Sequence, residues 1–483
     1  MQLTRDGGNS WHDITPPGVT PWSKIARIDV SVLARGTAYV AVDNHRQDEY
    51  APHAWRTSDY GATWTDISAG LPAGSFVNVV RTDTKRAGLL YAGTDLGVQI
   101  SFDDGARWQP LQLNLPPAWV NDLLVHGDDL IAATQGRALW VLDDVSRLRQ
   151  LNAGDNQATR LFTPATALRW RSNQNKDTPL PPETPLGANP PEGAVIDYVI
   201  GTGTRGDVLL EIRDHANQLV RRFSSGDKPE QLPVERYFAA DWLKPDRILS
   251  AAPGAHRFVW DLRYPRPRAS TYKYSISTSR AAGTPVEPRG PLALPGSYRL
   301  TLIADGKRQD VPLELVMDPR VKASTADLQA GLDFAREYGQ ALGEVWRNSR
   351  EIDTLRDGIN AHLRDLPKGN ALRKPLEALK ARTEPWVSGI SEVTLNLNTI
   401  SETLADILTD VDGSDRAPTE AQRAVAADCV KRAQAVAGQW QAVRGKDLTA
   451  LNEQLRRAGH KELAIPAADK LGPGQPDEGT ELP

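Results

Sequence analysis

The sequence has 483 residues and a single cysteine, Cys429. It can therefore form no intrachain disulfide and no cysteine-based metal site. No apolar run approaches the roughly 18 residues that a membrane-spanning helix needs. The first residues show neither the basic n-region nor the apolar core of a signal peptide. A formal net charge of -4 gives no electrostatic drive toward nucleic acid or an anionic membrane. No Gly-rich phosphate loop joins a strand to a helix, and no Gly-x-Ser-x-Gly elbow occurs. His45 and His53 lack a third ligand at useful spacing, so no metal is expected, and no other cofactor is implied.

What is present is a repeat. Thr4-Arg5-Asp6-Gly7-Gly8-Asn9-Ser10-Trp11 aligns with Thr57-Ser58-Asp59-Tyr60-Gly61-Ala62-Thr63-Trp64 and with Ser101-Phe102-Asp103-Asp104-Gly105-Ala106-Arg107-Trp108. The shared pattern is Ser/Thr-x-Asp-x-Gly-x-x-Trp, with Trp-to-Trp intervals of 53 and 44 residues. That period suits a four-stranded propeller blade. The residue types have local reasons. An Asp carboxylate accepts backbone N–H groups a few positions on and closes a turn. Gly takes positive φ without steric cost. Trp gives a large apolar body for packing between blades. Asp6, Gly8, Trp11, Asp59, Gly61, Trp64, Asp103, Gly105 and Trp108 are therefore read as structural.

β-rich runs fill the intervals: 28–33, 37–42, 53–57 and 63–67, then 77–81, 89–94, 98–102 and 108–111, then 121–125, 130–134 and 139–142. No box follows the last set, and Asp143-Asp144 reads as the propeller's end. A chain that opens inside a turn motif is expected to be the C-terminal portion of a longer protein, with about three blades present. Further blades or a partner would then have to complete the ring, and without them a sheet face and its tryptophans would stay exposed.

These residues resemble the Asp-box (BNR-repeat) β-propellers of the sortilin-type and glycosyl-hydrolase-like superfamily. The segments Asn44 to His53 and Thr134 to Asp144 fit its large exported bacterial members. In that group His is expected where Gln135 stands and Gly where Ala138 stands. The resemblance implies an extracellular or periplasmic parent protein that binds a glycan or peptide at the propeller mouth. A further resemblance, to family 74 xyloglucan-active hydrolases, implies the alternative of a glycoside hydrolase with catalytic carboxylates largely in other blades. The chain alone is then expected to be inactive.

After residue 150 the repeat stops. A proline-rich loop spans 173–193. Short β patterns follow at 194–200, 207–213, 218–223, 256–262, 296–303 and 311–316, which predict a β-sandwich over 151–320. Gly254 to Asp261 with Leu294 to Leu300 resembles the Ig-like module of flagellar hook-capping proteins, with Trp260 as its core tryptophan. From Ser324 the period becomes helical, and Ser324 to Asp327 is a capping start. The stripes are Leu328, Leu332, Ala335, Tyr338, Leu342, Val345, Ser349 and Ile352; Ile390, Val393, Leu397, Ile400, Leu404 and Ile407; Val425, Cys429, Val436, Trp440 and Val443; and Leu448, Leu451 and Leu455. They predict a helical bundle over 321–466, with Cys429 as a buried inert thiol. The tail 467–483 is Gly/Pro/Glu-rich and reads as disordered. The fold class is thus multidomain, mainly β and then α.

Chemistry is expected on the rim opposite the boxes. There the strand 2–3 loops and the strand 4–1 loops meet. The longest, Asn44 to Pro52, carries His45, Arg46, Asp48, Glu49 and Tyr50, and His53 starts the next strand. Its counterparts are Asp95 to Gly97 and Gln135 to Arg137, and the strand 4–1 loops bring Trp22, Phe76 and Trp119. Aromatic rings stack on sugars or apolar peptide groups, and the polar groups hydrogen-bond around them. Asp48 and Glu49 are the only catalytic candidates. As sequence neighbours they suit poorly a glycosidase pair held about 5–10 Å apart across the bond. The alternative is a solvated loop, with Arg137 paired to Asp95 to hold two blades together.

Overall fold

The computed structural model describes residues 1–152, 158–171, 187, 189–229, 248–273, 285–388, 396–465 and 475–477. Strands β1 (Gln2–Leu3) and β2 (His12–Asp13) form a hairpin around the first repeat turn. β3 (Lys24–Val30), β4 (Ala38–Asp43), β5 (His53–Thr57) and β6 (Thr65–Asp66) make a four-stranded antiparallel sheet in sequence order. β7 (Val77–Thr82), β8 (Leu90–Thr94), β9 (Val98–Ser101) and β10 (Gln109–Pro110) repeat it. β11 (Val120–His126), β12 (Asp129–Thr134) and β13 (Leu139–Leu142) give a three-stranded sheet. Each first strand carries a register shift at the same place, after Ile25, after Val77 and after Val120. The first strand therefore starts earlier than the pattern 28–33 predicts, and Ser31 to Leu33 belong to the following turn.

The sheets stack face to face. Tyr39, Ala41 and Ala54 of the first pack on Val80, Leu90 and Ala92 of the second. Val79, Tyr91 and Ile100 of the second pack on Val120, Leu123 and Leu130 of the third. The middle strand β8 is buried along its whole length, so it reads as a continuous small and apolar run rather than an alternation. Arg81 ties the first strands together. It donates to Asp29 at 2.8 Å, to Asp122 at 2.9 Å and to the Leu123 carbonyl at 2.7 Å.

The three turns share one hydrogen-bond scheme. The Asp carboxylate accepts the backbone N–H four residues on, at 2.9 Å in Asp6, 2.8 Å in Asp59 and 2.9 Å in Asp103. The hydroxyl two residues earlier accepts the Gly N–H, at 2.8, 2.9 and 2.9 Å. Two of the turns also staple neighbouring sheets. The Trp64 indole donates to the Ile14 carbonyl at 2.9 Å, and Trp108 donates to the Ile67 carbonyl at 2.8 Å. Gly61 and Gly105 lie so close to the same isoleucines that a Cβ would sit 2.7 and 2.8 Å from the Ile Cβ. At the first turn no atom lies within 4 Å of a Cβ on Gly8, and Trp11 is 59% exposed against 8% for Trp108. At the other end of the stack, Leu124, Leu139 and Val141 of the third sheet are exposed.

Beyond the stack come β14 (Arg160–Leu161), β15 (Ala167–Arg169), β16 (Ala194–Ile200), β17 (Leu209–Arg213), β18 (Leu219–Ser224), β19 (Gly254–Trp260), β20 (Thr271–Lys273), β21 (Gly296–Ala304) and β22 (Lys307–Met317). A three-stranded sheet, β14-β16-β19, and a five-stranded sheet, β15-β22-β21-β17-β18, bury their apolar residues in one shared cluster. Trp260 sits fully buried in it, its indole on the Arg263 carbonyl at 3.0 Å and edge-on to Tyr298. Arg257 joins this part to the end of the stack, donating to the Asp143 and Asp144 carbonyls at 2.7 and 2.9 Å and pairing with Asp197 at 2.9 Å.

The helices are α1 (Thr325–Asp365), α2 (Arg373–Val387), α3 (Leu397–Asp412) and α4 (Glu420–Ala442), which continues through a π-turn at Val443–Asp447 into α5 (Leu448–Arg457). The Ser324 hydroxyl caps α1 by accepting the Asp327 N–H, and Thr419 with Gln422 forms a capping box on α4. Their apolar stripes meet in one core that includes Leu342, Ile352, Leu376, Leu404, Cys429 and Trp440. Burial pushes the Cys429 thiol up from its ordinary value. Two expectations change here. Val425 is exposed and Ala426 takes its place on the stripe. α2 has no counterpart among the stripes read from the sequence, because Pro385 and the charged residues of 373–384 mask its apolar period. Ile390, Val393, residues 173–186 and 188 of the proline-rich segment, and the tail 467–483 apart from 475–477 lie outside the described residues.

Candidate functional site

The strand 2–3 loop of the first sheet opens with a single 3-10 turn, His45–Gln47, closed by Asp48 at φ 58°. The Gln47 amide holds the loop down by donating to the Trp22 carbonyl at 2.8 Å. Asp43, the last residue of β4, is buried. One of its carboxylate oxygens accepts the His45 backbone N–H at 3.0 Å and lies 2.5 Å from His45 Nδ1. The other takes the Lys24 ammonium at 3.2 Å. Burial would raise this carboxyl, but the bonds from His45 and Lys24 outweigh it and hold it below its ordinary value.

Thus fixed, the His45 ring lies on Phe76, centroids 4.6 Å apart and planes 24° apart. Trp119 stands edge-on to both, 5.5 Å from His45 and 5.1 Å from Phe76. Tyr50 tilts over Phe76 at 6.3 Å and is 47% exposed. Three loops of three adjacent sheets thereby bring four rings to one rim. The loops are held by the same backbone bond, Asp95 N–H to the Phe76 carbonyl at 3.4 Å and Gln135 N–H to the Trp119 carbonyl at 2.8 Å. The Trp119 indole N–H and the Asn44 amide oxygen are buried without a hydrogen-bond partner.

Beside the rings, Glu49 is engaged on both oxygens, by the Asn44 amide at 2.6 Å and by His53 Nε2 at 2.7 Å. These bonds hold the Glu49 carboxyl below its ordinary value, the opposite of what a general acid needs. His53 stacks on Trp55 at 5.7 Å. Asp48 and Arg46 are exposed on the loop. Trp22 is 85% exposed and apart from the ring cluster. Asp95 accepts the Ser75 hydroxyl at 2.5 Å, Arg137 is exposed, and among the described residues the two form no ion pair. The structure therefore assembles His45, Tyr50 and Trp119 with Phe76, groups Glu49 with His53, and leaves Arg46, Asp48, Trp22 and Arg137 outside both groups. Asp43 escaped the sequence reading; the only signal was an Asp two positions before a His at a strand end. Among the described residues no group of three or more His, Cys, Asp or Glu could hold a metal ion, and no helix is long and apolar enough to cross a membrane.

No family model matches the chain. No curated protein matches it. Solved structures do overlap it in part, and the neighbours include β-propeller proteins. YCF48 bound to D1 peptide is 14% identical, with a TM-score of 0.22 over 42% of this chain and 56% of that one. YCF48 from Cyanidioschyzon merolae is 16% identical, with a TM-score of 0.22 over 41% and 59%. The GH74 xyloglucanase from Xanthomonas campestris is 14% identical, with a TM-score of 0.21 over 60% and 38%. The chain thus spans less than two thirds of the length of each.

Proposed function

We propose that this chain is a binding module whose stacked sheets are blades of an Asp-box propeller, and that it takes a glycan or peptide on the ledge of His45, Tyr50 and Trp119, which rests on the buried Phe76. The observation that carries this reading is the convergence of four rings from three loops, with His45 fixed by the buried carboxylate of Asp43. Rings of this kind take a sugar face or an apolar side chain, and the loop amides and carboxylate around them give direction. The engaged state of Glu49 supports binding over hydrolysis. On this reading the chain belongs to an exported parent protein, the double sheet after the stack is an Ig-like spacer, and the exposed faces at both ends of the stack are covered by further blades or a partner.

The test is a glycan array and a peptide library probed with the full chain. The best ligand is then titrated against Tyr50→Ala and Trp119→Ala. Loss of an exposed aromatic contact at the centre of a site weakens binding about tenfold. Tyr50 is exposed, so its truncation leaves the fold intact and isolates the contact. A ligand that binds both variants as well as the parent would place the site elsewhere. Hydrolysis of a bound glycan that is lost in Glu49→Gln would replace the binding reading with a hydrolase.

A further inference from the structure

The ring ledge holds one polar atom whose chemistry the fold sets in advance. The Asp43 carboxyl is held below its ordinary value, so it is ionised and can only accept hydrogen bonds. Its bond to His45 Nδ1 therefore requires the ring proton to sit on Nδ1. The carboxylate itself cannot swing away. Its side chain has no exposed surface, and it also takes the His45 backbone N–H at 3.0 Å and the Lys24 ammonium at 3.2 Å.

With Nδ1 protonated, the neutral ring carries its lone pair on Nε2. That nitrogen has no hydrogen-bond partner among the described residues, and it is not one of the polar atoms sealed from solvent. The His45 side chain as a whole keeps 22% of its surface. Nearby polar groups are already engaged: Glu49 on both oxygens, and the Gln47 amide nitrogen on the Trp22 carbonyl. The ledge thus offers two contacts side by side, both resting on Phe76. One is the exposed Tyr50 ring, the other a single fixed acceptor.

We propose that His45 Nε2 is the specificity-determining atom of the ledge, with Asp43 as its positioning residue. The ligand it selects is a neutral glycan that donates a hydroxyl to Nε2 while a sugar face lies on Tyr50. This rests on the ledge reading above. A pyranose suits both contacts at once: its C–H face is apolar, and the hydroxyls at the rim of that face are donors. An apolar peptide side chain fills only the first contact. An ionised carboxylate has only lone pairs to set against the lone pair of Nε2.

The experiment uses the full chain at about pH 8, above the ordinary histidine range. Long-range proton–nitrogen NMR of the imidazoles finds the His45 proton on Nδ1, and Asp43→Asn loses that single tautomer. Calorimetry then compares cellohexaose with its per-O-methyl ether, which keeps the sugar chain and lacks every hydroxyl donor. Cellohexaose binds about tenfold more tightly, the factor that one hydrogen bond supplies. His45→Phe keeps a ring on Phe76, and Asp43 retains Lys24 and the backbone N–H of residue 45. In that variant cellohexaose weakens to the level of the ether. Asp43→Asn weakens cellohexaose in the same direction and leaves the ether unchanged. Equal binding of the two sugars, an unchanged preference in His45→Phe, or a proton on Nε2 overturns the proposal. So does the absence of saturable cellohexaose binding. Tyr50→Ala separates this from the ledge reading. Cellohexaose binding that survives Tyr50→Ala sinks both, whereas Tyr50-dependent binding of a peptide alone sinks only the glycan preference.

Discussion

Replacing Gly105 with alanine separates two costs that usually arrive together. Gly105 has φ +88°, and a Cβ there would lie 2.8 Å from Ile67 Cβ and 3.0 Å from Ile67 Cδ1 in the preceding sheet. The left-handed backbone costs an L-residue about 1–2 kcal/mol. Forcing a methyl against a packed isoleucine costs about 1–3 kcal/mol more. Gly105→Ala should therefore destabilise its turn by about 2–5 kcal/mol. The same chain contains the control. Gly8 occupies the same turn position at φ +99°, with no atom within 4 Å of a Cβ. Gly8→Ala bears only the backbone cost of about 1–2 kcal/mol. Gly61→Ala, with Ile14 at 2.7 Å, should behave as Gly105→Ala does. Hydrogen-exchange mass spectrometry on peptides spanning each turn reads the local opening free energy without requiring the whole chain to unfold in one step. If Gly8→Ala and Gly105→Ala lower protection equally, contact between neighbouring sheets is not what the glycine protects, and the staple argument fails.

Two further outcomes follow from the same geometry. Asp59 accepts bonds from the Thr63 hydroxyl, the Thr63 N–H and the Thr57 hydroxyl, which lower its pKa from 3.8 to about 2. With a depressed folded value, the turn's stabilisation is present above the unfolded value and is lost as pH falls through about 2, so carboxyl NMR should find Asp59 still ionised at pH 3; titration near 4 would contradict the hydrogen-bond scheme. Arg149 holds both oxygens of the buried Asp83 at 2.9 Å and also bonds Asp128, so Arg149→Ala strands a buried carboxylate and should cost about 3–5 kcal/mol in urea unfolding. A change below about 1 kcal/mol would mean that solvent replaces the guanidinium there.

Legibility in the sequence tracked the range of the interactions. The turns could be read because their bonds span four residues, so Ser/Thr, Asp and Gly stand at fixed offsets. The sheet strands were placed to within a few residues for the same reason, and the shift at β3 arose from a bulge that no alternation reveals. The ring cluster was legible in part. Equivalent loops had to share a rim once the repeat was seen, but the support of His45 by Asp43 depends on one side chain folding back. The ion pair of Arg171 with Asp415 between the double sheet and the helices was invisible, since the two are separated by 244 positions. The same holds for the parallel pairing of β15 with β22, which joins Ala167 to Leu315. In the helices, Val425 outranks Ala426 by hydropathy, yet the phase of α4 turns the alanine inward.

The stack is held at two places along each sheet, and the two are of different kinds. At the first strands Arg81 spans from Asp29 to Asp122 through a planar fork of fixed size. At the outer strands a glycine lets an isoleucine approach to the limit of contact. A fixed spacing at one edge and another at the opposite edge define a wedge. On the propeller reading proposed above, the curvature of the row is then a property of a few side chains per repeat, and lengthening the outer contact or shortening the inner one would change how many such wedges complete the ring.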